Sequence, residues 1–286
     1  LVPGMQVGQE RGNDQWVTYH GLGSDYPNQM QVLIDGRSVY SPYYFGGADW
    51  GALPIAIEDI ERIEVVRGSD SAAYGSNAFL GVVNIITRHT AAETGSSAHV
   101  NLGSNGIADA GGRLVMQDGP LGLRLSVHRQ HDHGMPGTHD GRDIRVLNLR
   151  GDLRLGEHDE LTLSAGLSEG ERDMGYPDVL FDSSGTRTAR HLDRSLHLRW
   201  RHSPGPDEEW SVSYYHNRER TRDEWFVDSS RNIDAITDPA ARAYLLDAKR
   251  IPVNNNRNSR RDNLELQHRF RASDSMQVLW GAEWRR

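Results

Sequence analysis

Beyond about residue 95, apolar and polar positions alternate with a period of two. Leu121, Leu123, Leu125 and Val127 alternate with Gly122, Arg124, Ser126 and His128, and Leu196, Leu198 and Trp200 alternate with His197, Arg199 and Arg201. The same period runs through Leu161 to Leu167, Leu264 to Phe270 and Met276 to Trp284. Each such segment has one greasy face and one polar face, which predicts β-strands. About nine segments are expected, near 95–103, 107–117, 120–131, 142–154, 159–169, 190–202, 209–220, 258–272 and 275–286. Each is close to the ~9 to 11 residues with which a tilted strand crosses a bilayer. Short turns at 118–120, 156–158, 203–207 and 273–275 alternate with long polar connections at 132–141, 170–189 and 221–257. Short turns at one end and long loops at the other are the pattern of an outer-membrane β-barrel. A soluble β-sandwich also alternates, but gives no reason for the long loops to fall at every second connection.

Residues 1–94 differ in texture: short apolar runs are separated by glycine, and 11 acidic residues face 5 basic ones. Gln31 to Ile34 reads as a buried strand closed by an Asp35-Gly36 turn. Leu53 to Ile60 reads as a short helix with Pro54 in its first turn and Glu58 and Asp59 on its wet face. Ile60 to Val66 reads as a strand with charges interleaved, Gly68 and Gly75 bracket a turn with a short helical piece, and Gly81 to Thr87 as a final buried strand.

Composition narrows the classes. The chain has no cysteine, which excludes a disulfide scaffold and a thiolate metal site. No run approaches the ~18 to 20 apolar residues of a membrane-spanning helix, which leaves a barrel open. A net charge of −8 argues against a nucleic-acid partner held by a basic surface. Lys249 is the one lysine among 32 basic residues, so positive charge sits almost wholly on guanidinium forks. Those suit paired, partly buried sites; genome composition produces the same bias. The chain opens at Leu1 without a signal-peptide pattern and closes at Arg286 inside an alternating segment, and a piece of something longer is expected.

Val32-Leu-Ile-Asp-Gly36, Leu53-Pro54, Ile60-Glu-Arg-Ile-Glu-Val-Val-Arg-Gly68, Tyr74-Gly-Ser-Asn-Ala78 and Gly81-Val-Val-Asn-Ile-Ile-Thr-Arg88 resemble, in order and spacing, the plug domain of TonB-dependent outer-membrane receptors. The chain departs from that pattern at His20, where the family often has arginine, and at Ser69, where it often has proline. The resemblance implies a transmembrane β-barrel with an N-terminal α+β plug inside its lumen. Residues 1–94 would be plug, and residues 95–286 would supply about nine antiparallel strands of the 22 in a plugged transporter. It also implies location in the bacterial outer membrane, import powered through TonB and its inner-membrane motor, a small chelate as substrate, contact with outer-membrane lipid, a monomer and no cofactor. No nucleophile elbow, P-loop or zincin helix offers an enzymatic alternative.

Within that frame the aromatic loop Tyr40 to Trp50 is the first candidate for substrate contact: Tyr40, Ser41, Tyr43, Tyr44, Phe45, Asp49 and Trp50 combine flat apolar area with polar tips. Packing of the plug against the wall is the equal alternative. Asp25, Tyr26 and Asn28 form a second candidate. Arg62 and Arg67, next to Glu61 and Glu64, resemble arginines that bridge plug to wall, with an ion pair internal to the plug as the alternative. Asp35, Gly36, Gly68, Tyr74, Gly75, Gly81 and Asn84 are assigned to turns and close packing.

His128, His131 and His133, with His139 beyond them, are weak metal candidates; a solvated loop is the simpler reading. Asn254 to Asn258 with Asp262 is a weaker calcium candidate. Trp200, Trp210, Trp225, Trp280 and Trp284 fall mainly near segment ends, as interfacial aromatic girdles do, with core packing as the alternative. The expected cargo is a ferric siderophore or other iron complex, with cobalamin, haem, copper complexes or glycans behind it. A receptor that signals to a periplasmic regulator and a soluble carbohydrate-binding β protein are the competing classes.

Overall fold

A computed structural model describes residues 2–19, 28–41, 47–68, 74, 78–176, 185–228, 237–248 and 250–286. The amino-terminal part holds a hairpin, β1 (Met5–Arg11) and β2 (Asp14–Tyr19), and a mixed sheet in the order β4-β3-β6-β5. Its strands are β3 (Met30–Ile34), β4 (Arg37–Ser38), β5 (Ile60–Arg67) and β6 (Gly81–Thr87). All five residues of β3 are buried, the apolar run Val32–Ile34 and Gln31 with it, and β3 pairs in parallel with β6. Asp35 and Gly36 both have positive φ, 52° and 87°, the two-residue hairpin turn for which Asp-Gly is suited. Val32, Ile34, Val83 and Ile85 close a small core with Tyr19 and Met30.

The rest is a nine-stranded antiparallel sheet in which neighbours in sequence are neighbours in space. It runs β7 (Ser96–Leu102), β8 (Ala108–Asp118), β9 (Leu121–Asp132), β10 (Arg142–Leu155), β11 (Asp159–Met174), β12 (Arg187–Gly205), β13 (Glu208–Arg222), β16 (Arg257–Ser273) and β17 (Met276–Arg285). Each of the nine expected segments coincides with one of these strands, several of which run past the expected bounds, β11 and β12 most. Between β13 and β16 lie a hairpin, β14 (Glu224–Asp228) with β15 (Arg250–Asn254), and a helix, α1 (Pro239–Ala248). Helix and hairpin were absent from the expectation of a plain polar loop, although connections this long often carry structure of their own. β12 also runs through Pro204, beside a register shift where a missing N–H does least harm.

The sheet is apolar outside and polar inside, the inverse of a soluble domain. In the cross-strand row Leu125–Leu149–Ala165–Leu196 the three leucines are exposed and Ala165 is partly so. The alternate positions, among them Arg124, Ser126, Ser168, His197, Asn217 and Asn263, are buried at 6% exposure or less. Such a surface is suited to lipid. Around the short turns, Trp200 stacks on His202, Trp210 on His268, and Trp280 meets Trp210 edge-on at 5.9 Å. These indoles project to the apolar side with their N–H groups bonded to Asp159, Glu208 and His268, as interfacial tryptophans require. Trp225 instead lies at the long-loop end, beneath the Arg187 guanidinium.

The segment expected as one helix at 53–60 holds a single 3-10 turn, Ile57–Asp59, and another, Trp50–Ala52, precedes it. Pro54 and the extended Ala56 between them break the run. The hairpin β1–β2 had no counterpart in the sequence reading, because its strands are polar and only partly alternating.

Candidate functional site

The site lies along the seam where the amino-terminal sheet meets the inner face of the wall. Every wall strand from β8 to β13, and β16, touches it through at least one polar side chain, so the sheet wraps the plug. In the guanidinium–carboxylate pairs that cross the seam, the plug supplies the carboxylate and the wall the guanidinium. Arg124 on β9 donates to Glu93 at 2.8 Å and to the Arg88 carbonyl at 2.7 Å, and stands 3.6 Å from Asp59. Arg113 on β8 reaches Glu93 at 2.7 Å and the Glu58 carbonyl at 3.1 Å. Arg150 on β10 bonds Thr87 Oγ1 at 2.6 Å and Asp35 at 3.2 Å, while Asp35 accepts from the Thr87 N–H and hydroxyl. Arg172 on β11 pairs with Asp49 at 2.8 Å. Buried guanidinium–carboxylate contacts of this kind hold because each charge keeps further hydrogen bonds.

Asp59 shows the environment. Expected on a wet face, it is 2% exposed and accepts from Ser126 of β9 at 2.9 Å. The 3-10 turn, tighter than an α-helical one, turns this carboxylate into the wall. Burial pushes its pKa up, while Arg124 and the Ser126 hydroxyl pull it down. Burial likewise lowers the pKa of Arg37, against Asp35, and its Nη1 donates to Asn217 on β13 at 3.1 Å.

The loop expected to touch substrate is engaged at its described residues. Ser41 donates to Glu219 at 2.8 Å, Asp49 is held by Arg172, and Tyr40 lies under the Arg261 guanidinium at 4.4 Å. Trp50 is half-buried against the plug core. These four make the packing arrangement offered as the alternative. Tyr43, Tyr44 and Phe45 lie outside the described residues, as do Asp25, Tyr26 and Gly75; Asn28 is exposed. Where the loop meets β11, β12 and β13, a cavity of about 50 Å³ is lined by Arg37, Ser41, Asp49, Arg172, Asp193 and Glu219.

For Arg62, Glu61 and Glu64 the described residues show the alternative, an ion pair internal to the plug. Arg62 pairs with both glutamates, at 2.7 and 2.8 Å, inside the plug and half exposed. Its strand, β5, is the edge of the plug sheet, and the polarity of the seam is opposite to the expectation. Arg67 is exposed at the end of β5. Asp35 is more than a turn residue, since it carries a wall arginine. Gly81 is a close-packing glycine: a Cβ there would lie 2.7 Å from the Val66 carbonyl oxygen. Gly68 has a φ of 95°, and Asn84 and Tyr74 border a lumenal cavity of about 780 Å³. Arg150, His197, Arg199, Glu209 and Glu265 line the same cavity from the wall.

The sequence reading missed the tip of β1–β2. Gly12 N–H donates to Asp140 at 2.5 Å, and Asn13, 1% exposed, donates to the Asp173 and Gly141 carbonyls. The histidines separate: His128 faces inward, near His99 and Glu58, while the rings of His131 and His133 meet edge-on at 5.4 Å. A second group, His89, Asp152 and Glu160, is internally bonded. Asp262 accepts from Tyr214 and His216 on the outer face, apart from the Asn254–Asn256 turn, so the calcium grouping does not assemble.

Comparison with known proteins gives a consistent result. Residues 1–82 match the family described as TonB-dependent Receptor Plug Domain. The vitamin B12 transporter BtuB of Vibrio vulnificus is 37% identical over 111 residues, 38% of this chain and 17% of that protein. BtuB of Photobacterium profundum is 29% identical over 195 residues, 64% of this chain and 31% of that protein. The ferric yersiniabactin receptor FyuA of Yersinia pestis superposes over 100% of this chain and 44% of its own, with a TM-score of 0.70 and 15% identity. The copper transporter OprC superposes over 99% of this chain and 41% of its own, with a TM-score of 0.66 and 16% identity. The chain thus spans less than a third of these curated relatives and less than half of these solved structures.

Proposed function

We propose that this chain, the plug domain and part of the barrel of a TonB-dependent receptor in the bacterial outer membrane, serves active uptake of a scarce, bulky nutrient. The observation that carries the reading is the seam: a small α+β unit seated by buried ion pairs on the polar face of a sheet whose other face is apolar. A lumen closed this way needs work to open, and we assign that work to TonB and its motor. We divide the chain into plug, residues 1–94, and wall, residues 95–286.

For the cargo we propose a metal chelate. The curated relatives at 29–37% identity are named for vitamin B12, which favours a corrinoid. The iron complex expected from family frequency stands second, because the solved iron receptors, at 14–16% identity, speak to fold alone. The aromatic loop at residues 40–50 is the surface we assign to it, by virtue of its flat apolar area. The intact gene, expressed in a host stripped of its own receptors, is expected to restore uptake of labelled cyanocobalamin in a TonB-dependent way. Restoration by ferric siderophores instead selects the second reading, and accumulation without TonB overturns active import.

A further inference from the structure

We propose that Glu58, His99 and His128 bind a divalent transition-metal ion of the zinc class, fastening the plug to the first strands of the wall. His99 on β7, Gly111 on β8 and His128 on β9 occupy one cross-strand row on the inner face. Ordinarily the middle residue of such a row separates its neighbours. Here a Cβ on residue 111 would fall 2.7 Å from His99 Nε2 and 2.9 Å from His128 Nδ1. Glycine therefore lets the two imidazoles converge across the strand between them, with ring centroids 5.4 Å apart.

Glu58 comes to the same point from the plug, its Oε1 3.3 Å from His99 Nε2. It sits on the 3-10 turn that Asp59 pins to Ser126 and that Arg113 holds through the Glu58 carbonyl. All three ligand atoms lie within 4.8 Å of one another. In a tetrahedral site with bonds of ~2.0 to 2.2 Å the donors stand about 3.4 Å apart, so a small inward closure completes the geometry.

The second observation is what these atoms lack. Glu58 Oε2, His99 Nε2 and His128 Nδ1 are each buried without a hydrogen bond. Buried polar atoms are ordinarily satisfied, and three orphans aimed at one point mark a missing partner. A protonated His99 paired with Glu58 would satisfy those two side chains and still leave His128, 8% exposed, with nothing. A cation satisfies all three. The neighbouring group His89, Asp152 and Glu160 lacks this signature, because its atoms already bond Thr90, Arg150 and one another.

The donor set selects the ion. Two neutral imidazole nitrogens and one carboxylate oxygen suit zinc, cobalt, nickel or copper, whereas calcium and magnesium want shells of oxygen. The ion adds a bond between plug and wall, and this holds whatever the cargo.

The test uses the intact protein, purified in detergent, stripped with chelator and titrated with zinc or cobalt(II). One equivalent is expected to bind, with cobalt giving the visible bands of a four-coordinate site. His128→Gln, His99→Gln and Glu58→Gln are each expected to weaken binding at least about tenfold. His89→Gln and the loop pair His131→Gln with His133→Gln are expected to leave it unchanged. Gly111→Ala fills the gap without removing a ligand and is expected to abolish the site. X-ray absorption of the zinc-loaded wild type needs no variant and is expected to show imidazole and carboxylate ligands. A shell of oxygen alone, no bound equivalent, or binding indifferent to His128 overturns the proposal.

Discussion

Arg124→Ala is expected to weaken the seating of the plug by about 3–5 kcal/mol, the range for removing one partner from a buried ion pair. The guanidinium is 4% exposed and serves Glu93, Asp59 and the Arg88 carbonyl at once. Without it, two carboxylates at 3% exposure or less remain buried side by side, with Arg113 the guanidinium left beside them. Hydrogen exchange of the intact protein is the direct measurement. Amides of Ile57–Asp59 and Thr90–Ala92 are expected to exchange orders of magnitude faster, while the wall strands away from the seam keep their protection. Arg62→Ala, which breaks half-exposed pairs inside the plug, is expected to change exchange at the seam little. Equal effects of the two substitutions would remove the distinction drawn between seam and plug surface.

The second large effect belongs to the outer face. Leu163→Arg places a charge near the middle of the apolar belt, beside Leu198 and Gly151. In lipid that costs about 2–4 kcal/mol at the bilayer midplane, falling to ~0 to 1 near an interface. Leu155→Arg, at the turn end of the same face, is therefore expected to be tolerated. The readout is the folded, heat-modifiable fraction after assembly into vesicles. A soluble domain gives no such gradient, since both leucines are already exposed there, 38% and 50%.

The wall was legible in the sequence because a strand with lipid on one side and a polar lumen on the other must alternate, and nine segments did. The Asp35-Gly36 turn was legible for a local reason, two consecutive residues with positive φ. The seam was legible only as bookkeeping: an acid-rich amino-terminal region and a chain that uses arginine for nearly all its positive charge. Which acid meets which arginine is a property of docking. Asp35 finds Arg150 across 115 residues and Asp49 finds Arg172 across 123. The same lack of local signal put Asp59 on the wrong face, since one residue of slip in a 3-10 turn exchanges wet and dry. Arg62 stands on the edge strand of its sheet, where its own glutamates are nearest, the alternative that the adjacent residues already offered. The Glu58, His99 and His128 grouping was equally hidden, because it needs the register of three strands and the absence of a side chain at Gly111.

The amino-terminal unit sits within the curve of the wall, against its polar face. These 286 residues hold no cysteine, so in an intact protein cleared of any thiol elsewhere, cysteines placed at Asp59 and Ser126, whose side chains meet at 2.9 Å, report on it without background. Arg124 keeps Glu93 in this variant, which leaves the plug seated. A short fluorogenic reagent with two thiol-alkylating groups, applied to the intact protein in membranes, is predicted to bridge the two positions nearly completely. Separate alkylation of both thiols, with no bridge between them, would contradict the account.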